Sequence, residues 1–210
     1  QTRAVMVAPV NGASSVGAIA AQVLDAAPSR FALVGASMGG VVAMEVLRRA
    51  PERVTRVALM DTSPLPETPQ MAATREPQIV AVRAGRLESL MREEIGPQSL
   101  AIGSRRGEVL NLLIEMAQSL GPDVFIAQSR ALQRRPDQQK VLRTMRVPAL
   151  VLCGEQDVVS PVKRHEFMAE LIPYSDFRVI PDAGRFPTLE QPQAASEALA
   201  EWLKSPMVLR

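Results

Sequence analysis

The side chains best placed to do chemistry lie in one short stretch, Gly35-Ala36-Ser37-Met38-Gly39, which fits the pattern G-x-S-x-G. It follows the apolar run FALVGA (31–36) and precedes a helical pattern carrying Val42, Val46 and Leu47. A strand that turns sharply into a helix lifts the serine hydroxyl at the carboxyl end of a sheet, where open α/β folds bind ligands. We expect Gly35 and Gly39 to be glycines because a side chain at either would collide with neighbouring backbone. The same turn sets the Met38 N–H at a helix N-terminus, as a donor for a developing oxyanion. A glycine-rich βα turn without chemistry is the competing reading. A phosphate loop is disfavoured, since no G-K-[ST] follows. His165, the single histidine, lies in PVKRHEFMAEL and is expected on the exposed side of a helix. Cys153, the single cysteine, ends the apolar run ALVLC and is expected to be a buried structural thiol.

The elements that must position the serine alternate between two periodicities. Continuous apolar runs at 4–8, 31–36, 57–61, 149–154 and 177–180 predict strands covered on both faces. Helical patterns separate them: Val16, Ile19, Ala20, Val23 and Leu24 share one face, and Pro51 stops the helix after the serine. Ser160-Pro161 reads as an N-cap and first-turn proline ahead of Met168 and Leu171. Pro192 opens a last helix that turns Ala195, Ala198, Leu199 and Trp202 inward. Alternating βα units predict an α/β, doubly wound, mostly parallel sheet. Residues 64–147 break the alternation. They hold only helical patterns, such as VLNLLIEMAQSL (109–120), and we expect a helical cap over the mouth of the sheet that shapes a substrate pocket. A helical layer packed for stability is the alternative. The core is then 1–63 together with 148–210.

Several motifs in the same order resemble the α/β-hydrolase superfamily, specifically small esterase-like members with SMGG at the serine turn. APERVTRVALMDTSP (50–64) resembles the helix end and next strand of that family, and VPALVLCGEQDVVSP (147–161) its acid-bearing strand and loop. IPDAGRFPTLEQP (180–192) resembles the segment that carries the catalytic histidine. The resemblance covers nearly the whole chain. It implies Ser37 as nucleophile and Asp157 as the acid that orients the base, with Asp61 as an alternative acid at the end of the preceding strand. A solvated loop aspartate is the competing reading of Asp157, and a turn cap that of Asp61. A dehalogenase would carry aspartate in place of Ser37.

The chain departs from the family at the base. The histidine position is Arg185, in Ala183-Gly184-Arg185-Phe186-Pro187. A guanidinium keeps its proton at any biological pH, so it cannot take one from a serine. We expect it to pair with Asp157 in a planar fork. A second departure concerns the front end. The family's earlier strand and its Gly-containing oxyanion loop have no counterpart, and Asn11-Gly12 does not resemble that loop. The absent strand would lie between 4–8 and 31–36. We expect those two strands to pair directly through a right-handed crossover. A fragment, or a strand donated by a partner chain, is the alternative.

Composition bounds the partners. Of 210 residues, 47% are hydrophobic, enough for a sizeable core, and the net charge of +2 comes from interspersed signs rather than a basic stripe. We therefore expect a small-molecule substrate or ligand, and neither nucleic acid nor membrane. No cofactor or metal is expected. The lone cysteine fits a reducing compartment, and a cytoplasmic location is expected. Three functions remain in view: an ester hydrolase of reduced activity, a non-catalytic anion-binding protein on the same scaffold, and a truncated inactive product.

Overall fold

Four of the five predicted strands form, and they assemble in sequence order. The computed structural model describes residues 3–206. Strands β1 (Phe31–Ala36), β2 (Val54–Met60), β3 (Ala149–Gly154) and β4 (Ser175–Ile180) make one sheet in the order β1-β2-β3-β4. Every neighbouring pair is parallel. Every residue of β3 is buried, and all of β2 except Thr55, as expected of central strands covered on both faces.

Successive residues of a strand point to opposite faces, so the sheet has two cores. On one face Val57, Leu59, Ala149 and Val151 meet helices α1 (Val16–Ala26) and α2 (Met38–Arg49). On the other, Ala58, Met60, Leu150 and Leu152 pack with Ala198 and Trp202 of the last helix. This is a doubly wound α/β sheet. Arg56 would be a liability inside β2. Its guanidinium instead donates to Trp202 O (2.7 Å) and Leu203 O (2.8 Å), satisfying carbonyls at that helix's C-terminal end.

The run at 4–8 is the exception. It forms no strand, and Val5 and Val7 are 88% and 87% exposed. The expected direct pairing with 31–36 is therefore corrected: β1 ends the sheet, and its Ala32, Val34 and Ala36 are exposed. The physical reason is anchorage elsewhere. Arg3 donates to Leu203 O at 3.4 Å, and Val10 O accepts from Gln128 Nε2 at 3.2 Å. A ladder needs two backbones about 4.8 Å apart over several residues, and these tethers lead to other elements.

Between β2 and β3 the chain is helical: α3 (Pro69–Arg83), α4 (Leu87–Leu90), α5 (Gly96–Ser99), α6 (Arg106–Leu120), α7 (Pro122–Gln133) and α8 (Gln139–Thr144), with a π-helical turn at Met91–Ile95. Helices α3 and α7 are joined by the Arg130–Glu76 ion pair and by Gln133 Nε2 donating to Ala72 O at 2.8 Å. Gln138 fastens this layer to the core: its N–H donates to Pro64 O (2.8 Å) and its Nε2 to Glu45 of α2 (3.1 Å). After β3 come α9 (Val162–Leu171), α10 (Pro187–Glu190) and α11 (Pro192–Lys204). Among the described residues no single helix is long and apolar enough to cross a membrane.

Candidate active site

The turn between β1 and α2 has the strained geometry its sequence predicts. Ser37 sits at φ 50° and ψ −116°, a region that L residues seldom occupy. The surroundings hold it there: Ser37 N–H donates to Met60 O (2.9 Å), and Ser37 O accepts from Thr62 Oγ1 (2.8 Å). Gly35 is obligatory, because a Cβ there would lie 2.3 Å from Gly39 O. The expectation for Gly39 is corrected: a Cβ there meets nothing within 4 Å. The tight glycine is the next one. A Cβ on Gly40 would lie 2.6 Å from Thr62, the residue that secures the turn. Met38 begins α2, and its N–H has no backbone acceptor among the described residues.

Arg185 reaches the apex of this turn. Its Nη2 donates to Ser37 Oγ at 2.8 Å, and its Nη1 faces Asp157 Oδ2 at 3.2 Å and Ser160 Oγ at 3.3 Å. The expected fork between Arg185 and Asp157 is thus not formed. The guanidinium divides its nitrogens between the acid and the serine, because both lie within its reach. Asp157 is buried on the loop after β3, and its Oδ1 accepts from Val159 N (2.8 Å) and Ser160 N (2.9 Å). Burial pushes its carboxyl above the usual range, against the pull of Arg185 and of those two N–H groups. Ser160 is not the helix N-cap that its sequence suggested. Pro161 occupies that position, and Ser160 turns inward to Arg185.

A glutamate that sequence reasoning passed over positions the arginine. Glu190 Oε1 accepts from Gly184 N (3.0 Å) and Phe186 N (3.0 Å), the residues flanking Arg185. Its Oε2 accepts from Ala101 N (2.7 Å), and Arg185 N–H donates to Ser99 O (2.7 Å). One buried carboxylate therefore ties the arginine loop to the helical layer. The only sequence signal was a charged residue inside a segment whose neighbours must pack.

Asp61 hydrogen-bonds to none of the Ser37, Asp157 and Arg185 side chains, although the charges of Asp157 and Arg185 act on it. It is buried at φ 45°, with Oδ1 accepting from Gly154 N (3.0 Å) and Oδ2 without a partner among the described residues. Burial raises its carboxyl to about 8, so it is largely protonated at neutral pH. His165 is corrected from exposed to fully buried. Its Nε2 accepts from Thr62 N at 3.1 Å, and its Nδ1 faces Pro161 O at 3.3 Å. That pair of contacts fixes the neutral tautomer protonated at Nδ1, and burial pushes its pKa down to about 4. It braces the serine turn through Thr62 and has no lone pair left for Ser37. Cys153 is buried in β3, its thiol pushed up to about 12 by burial.

Ser37, Met38, Thr62 and Arg185 open into a cavity of about 100 Å³. Leu65, Met71, Arg75, Leu132 and Arg135 of the helical layer complete its wall. Among the described residues, no group of three or more His, Cys, Asp or Glu side chains is arranged to hold a metal ion.

The model of the alpha/beta hydrolase family matches residues 8–198. A thermophilic esterase from Thermogutta terrifontis, solved with malate bound, is 32% identical with a TM-score of 0.85, over 93% of this chain and 74% of that one. An N-acyl homoserine lactone degrading enzyme is 27% identical, with a TM-score of 0.69 over 92% of this chain and 76% of that one. The enol-lactonase from Burkholderia xenovorans shares the fold at 20% identity and a TM-score of 0.81, over 92% and 75% of the two chains. No curated protein matches the sequence.

Proposed function

The chain belongs to the α/β-hydrolase family, and on that premise we propose that it is an ester-hydrolase scaffold whose serine chemistry is blocked by Arg185. The substrates of the scaffold are small carboxylic esters or related acyl compounds. The similar esterase and the lactone-degrading enzyme support that class. Ser37 is the nucleophile, Asp157 the acid, and the Met38 N–H the oxyanion donor.

The observation that carries this reading is the 2.8 Å contact from Arg185 Nη2 to Ser37 Oγ. Attack by Oγ on an acyl carbon requires a base to take the hydroxyl proton as the bond forms. Arg185 approaches the same oxygen as a donor. It occupies a lone pair and offers no acceptor, and Asp157 is held beyond it. The proton on Oγ has no receiver in the constellation. Loss of the base in a serine hydrolase costs roughly a million-fold in turnover, or about 8 kcal/mol. Oxyanion stabilisation and binding alone leave roughly 10³–10⁴ over water.

A second reading, an anion-binding protein on the same scaffold, is favoured by the donors that converge here: Arg185 Nη2, the free Met38 N–H and the N-terminus of α2. The test is turnover of p-nitrophenyl acetate by the natural chain and by Arg185→His. The proposal expects Ser37-dependent turnover in the variant alone. Rapid turnover by the natural chain that Ser37→Ala abolishes would sink it.

A further inference from the structure

We propose that the Ser37 cavity selects ligands carrying a free carboxylate besides the group presented to the serine, with Arg135 and Arg164 as the residues that bind it. This rests on the reading of the cavity as a ligand site, but it does not depend on turnover.

The cavity is lined by four guanidiniums, those of Arg75, Arg135, Arg164 and Arg185. Two are neutralised: Arg75 grips Glu67 through both oxygens (2.5–3.0 Å), and Arg185 is backed by Asp157. The other two are not. Neither Arg135 nor Arg164 has an ion-pair or side-chain hydrogen-bond partner among the described residues. Arg135 is the more telling, because its Nε is buried without any acceptor. A buried donor on a charged group that is left unsatisfied destabilises the fold. Burial holds the affinity of Arg135 for its proton below the ordinary arginine value. Glu67 opposes this, and the guanidiniums of Arg75, Arg185 and Arg164 reinforce it. Like charges gathered against a wall are costly unless an anion joins them.

The missing partner is therefore an anion between Arg135 on the helical layer and Arg164 on α9. The planar guanidinium fork suits a carboxylate. Leu65, Met71 and Leu132 on the same wall favour an organic acid over a bare inorganic ion. Because Ser37 and Arg185 line the same cavity, the fitting ligand is a short acyl compound with a free acid group, such as the half-ester of a dicarboxylic acid.

The test is calorimetric binding of monomethyl succinate to the full chain, beside its uncharged counterpart dimethyl succinate. We expect the half-ester to bind at about 1 mM or tighter, and the diester at least tenfold more weakly. Arg135→Met and Arg164→Gln should each weaken the half-ester at least tenfold. Arg135→Met should also raise the melting temperature without ligand, because it removes a half-buried charge whose Nε has no acceptor; a purely structural arginine would give the opposite shift. Equal binding of the two esters would overturn the inference. So would an unchanged half-ester affinity in both variants, or inorganic phosphate competing as well as the half-ester. Failure of Arg185→His to gain turnover while the half-ester still discriminates would defeat the blocked-hydrolase reading and leave this one standing.

Discussion

Replacing Arg185 with histidine should create activity rather than remove it. The two terminal nitrogens of the guanidinium face Asp157 and Ser37, at 3.2 and 2.8 Å. The two nitrogens of an imidazole have a similar span. A histidine on the same loop thus has an acid on one side and a hydroxyl on the other. The loop itself is held by Glu190 and by Ser99 O, neither of which contacts the Arg185 side chain. A general base contributes about 10²–10⁴ in rate, equivalent to about 2.7–5.4 kcal/mol of barrier. The upper limit, set by the loss of a whole triad histidine, is roughly 10⁶. Because imidazole is shorter than the arginine side chain, we expect the lower range. The assay is steady-state hydrolysis of p-nitrophenyl acetate, with a pre-steady-state burst to count acylated serines. The variant should gain at least about 10²-fold in kcat/KM over the natural chain. Ser37→Ala in the variant background should erase the gain. If a correctly folded Arg185→His chain shows no Ser37-dependent gain, the argument that the base is the missing part fails.

Two further outcomes follow from the packing. Gly40→Ala drives a Cβ to 2.6 Å from Thr62 and should cost about 1–3 kcal/mol in denaturant unfolding, whereas Gly39→Ala, in the helix with open space around it, should be neutral or stabilise by up to about 1 kcal/mol. The Glu45 carboxyl is held down to about 2, first by Arg48, then by Arg49 and Gln138, against its burial. A carboxylate whose folded pKa is depressed stabilises above its unfolded value and loses that contribution as pH falls through the folded one. Stability should therefore fall by about 2–3 kcal/mol from this group between about pH 4.5 and 2, and Glu45→Gln should flatten that part of an acid-unfolding curve.

The sheet was legible where strands are buried on both faces. The run at 149–154 is uniformly apolar because β3 is central, and its bounds match the prediction. The run at 4–8 is as uniformly apolar and forms no strand. Apolarity expresses a need for cover, and pairing depends on where the neighbouring backbone lies. At the site, Ser37, Asp157 and Arg185 were each readable from their motifs, and the structure brings them together. His165 was misjudged because Lys163, Arg164 and Glu166 surround it with charge. Its spacing to Met168 and Leu171 marks the buried face. The pattern G-x-S-x-G singled out Gly39, yet the close approach belongs to Gly40, since a motif records residue types and not the side chain that crosses the turn. Glu190, Arg135 and Arg164 escaped notice because their meaning lies in contacts made far along the chain.

The central claim is that Ser37 Oγ faces a donor that cannot accept its proton. The rate at which a fluorophosphonate labels Ser37 in the natural chain, followed across the range in which imidazole titrates, tests it most directly. A slow reaction that rises steadily with hydroxide, without an inflection or plateau, is expected. A sigmoidal profile would reveal a titrating base in contact with that oxygen and contradict the account.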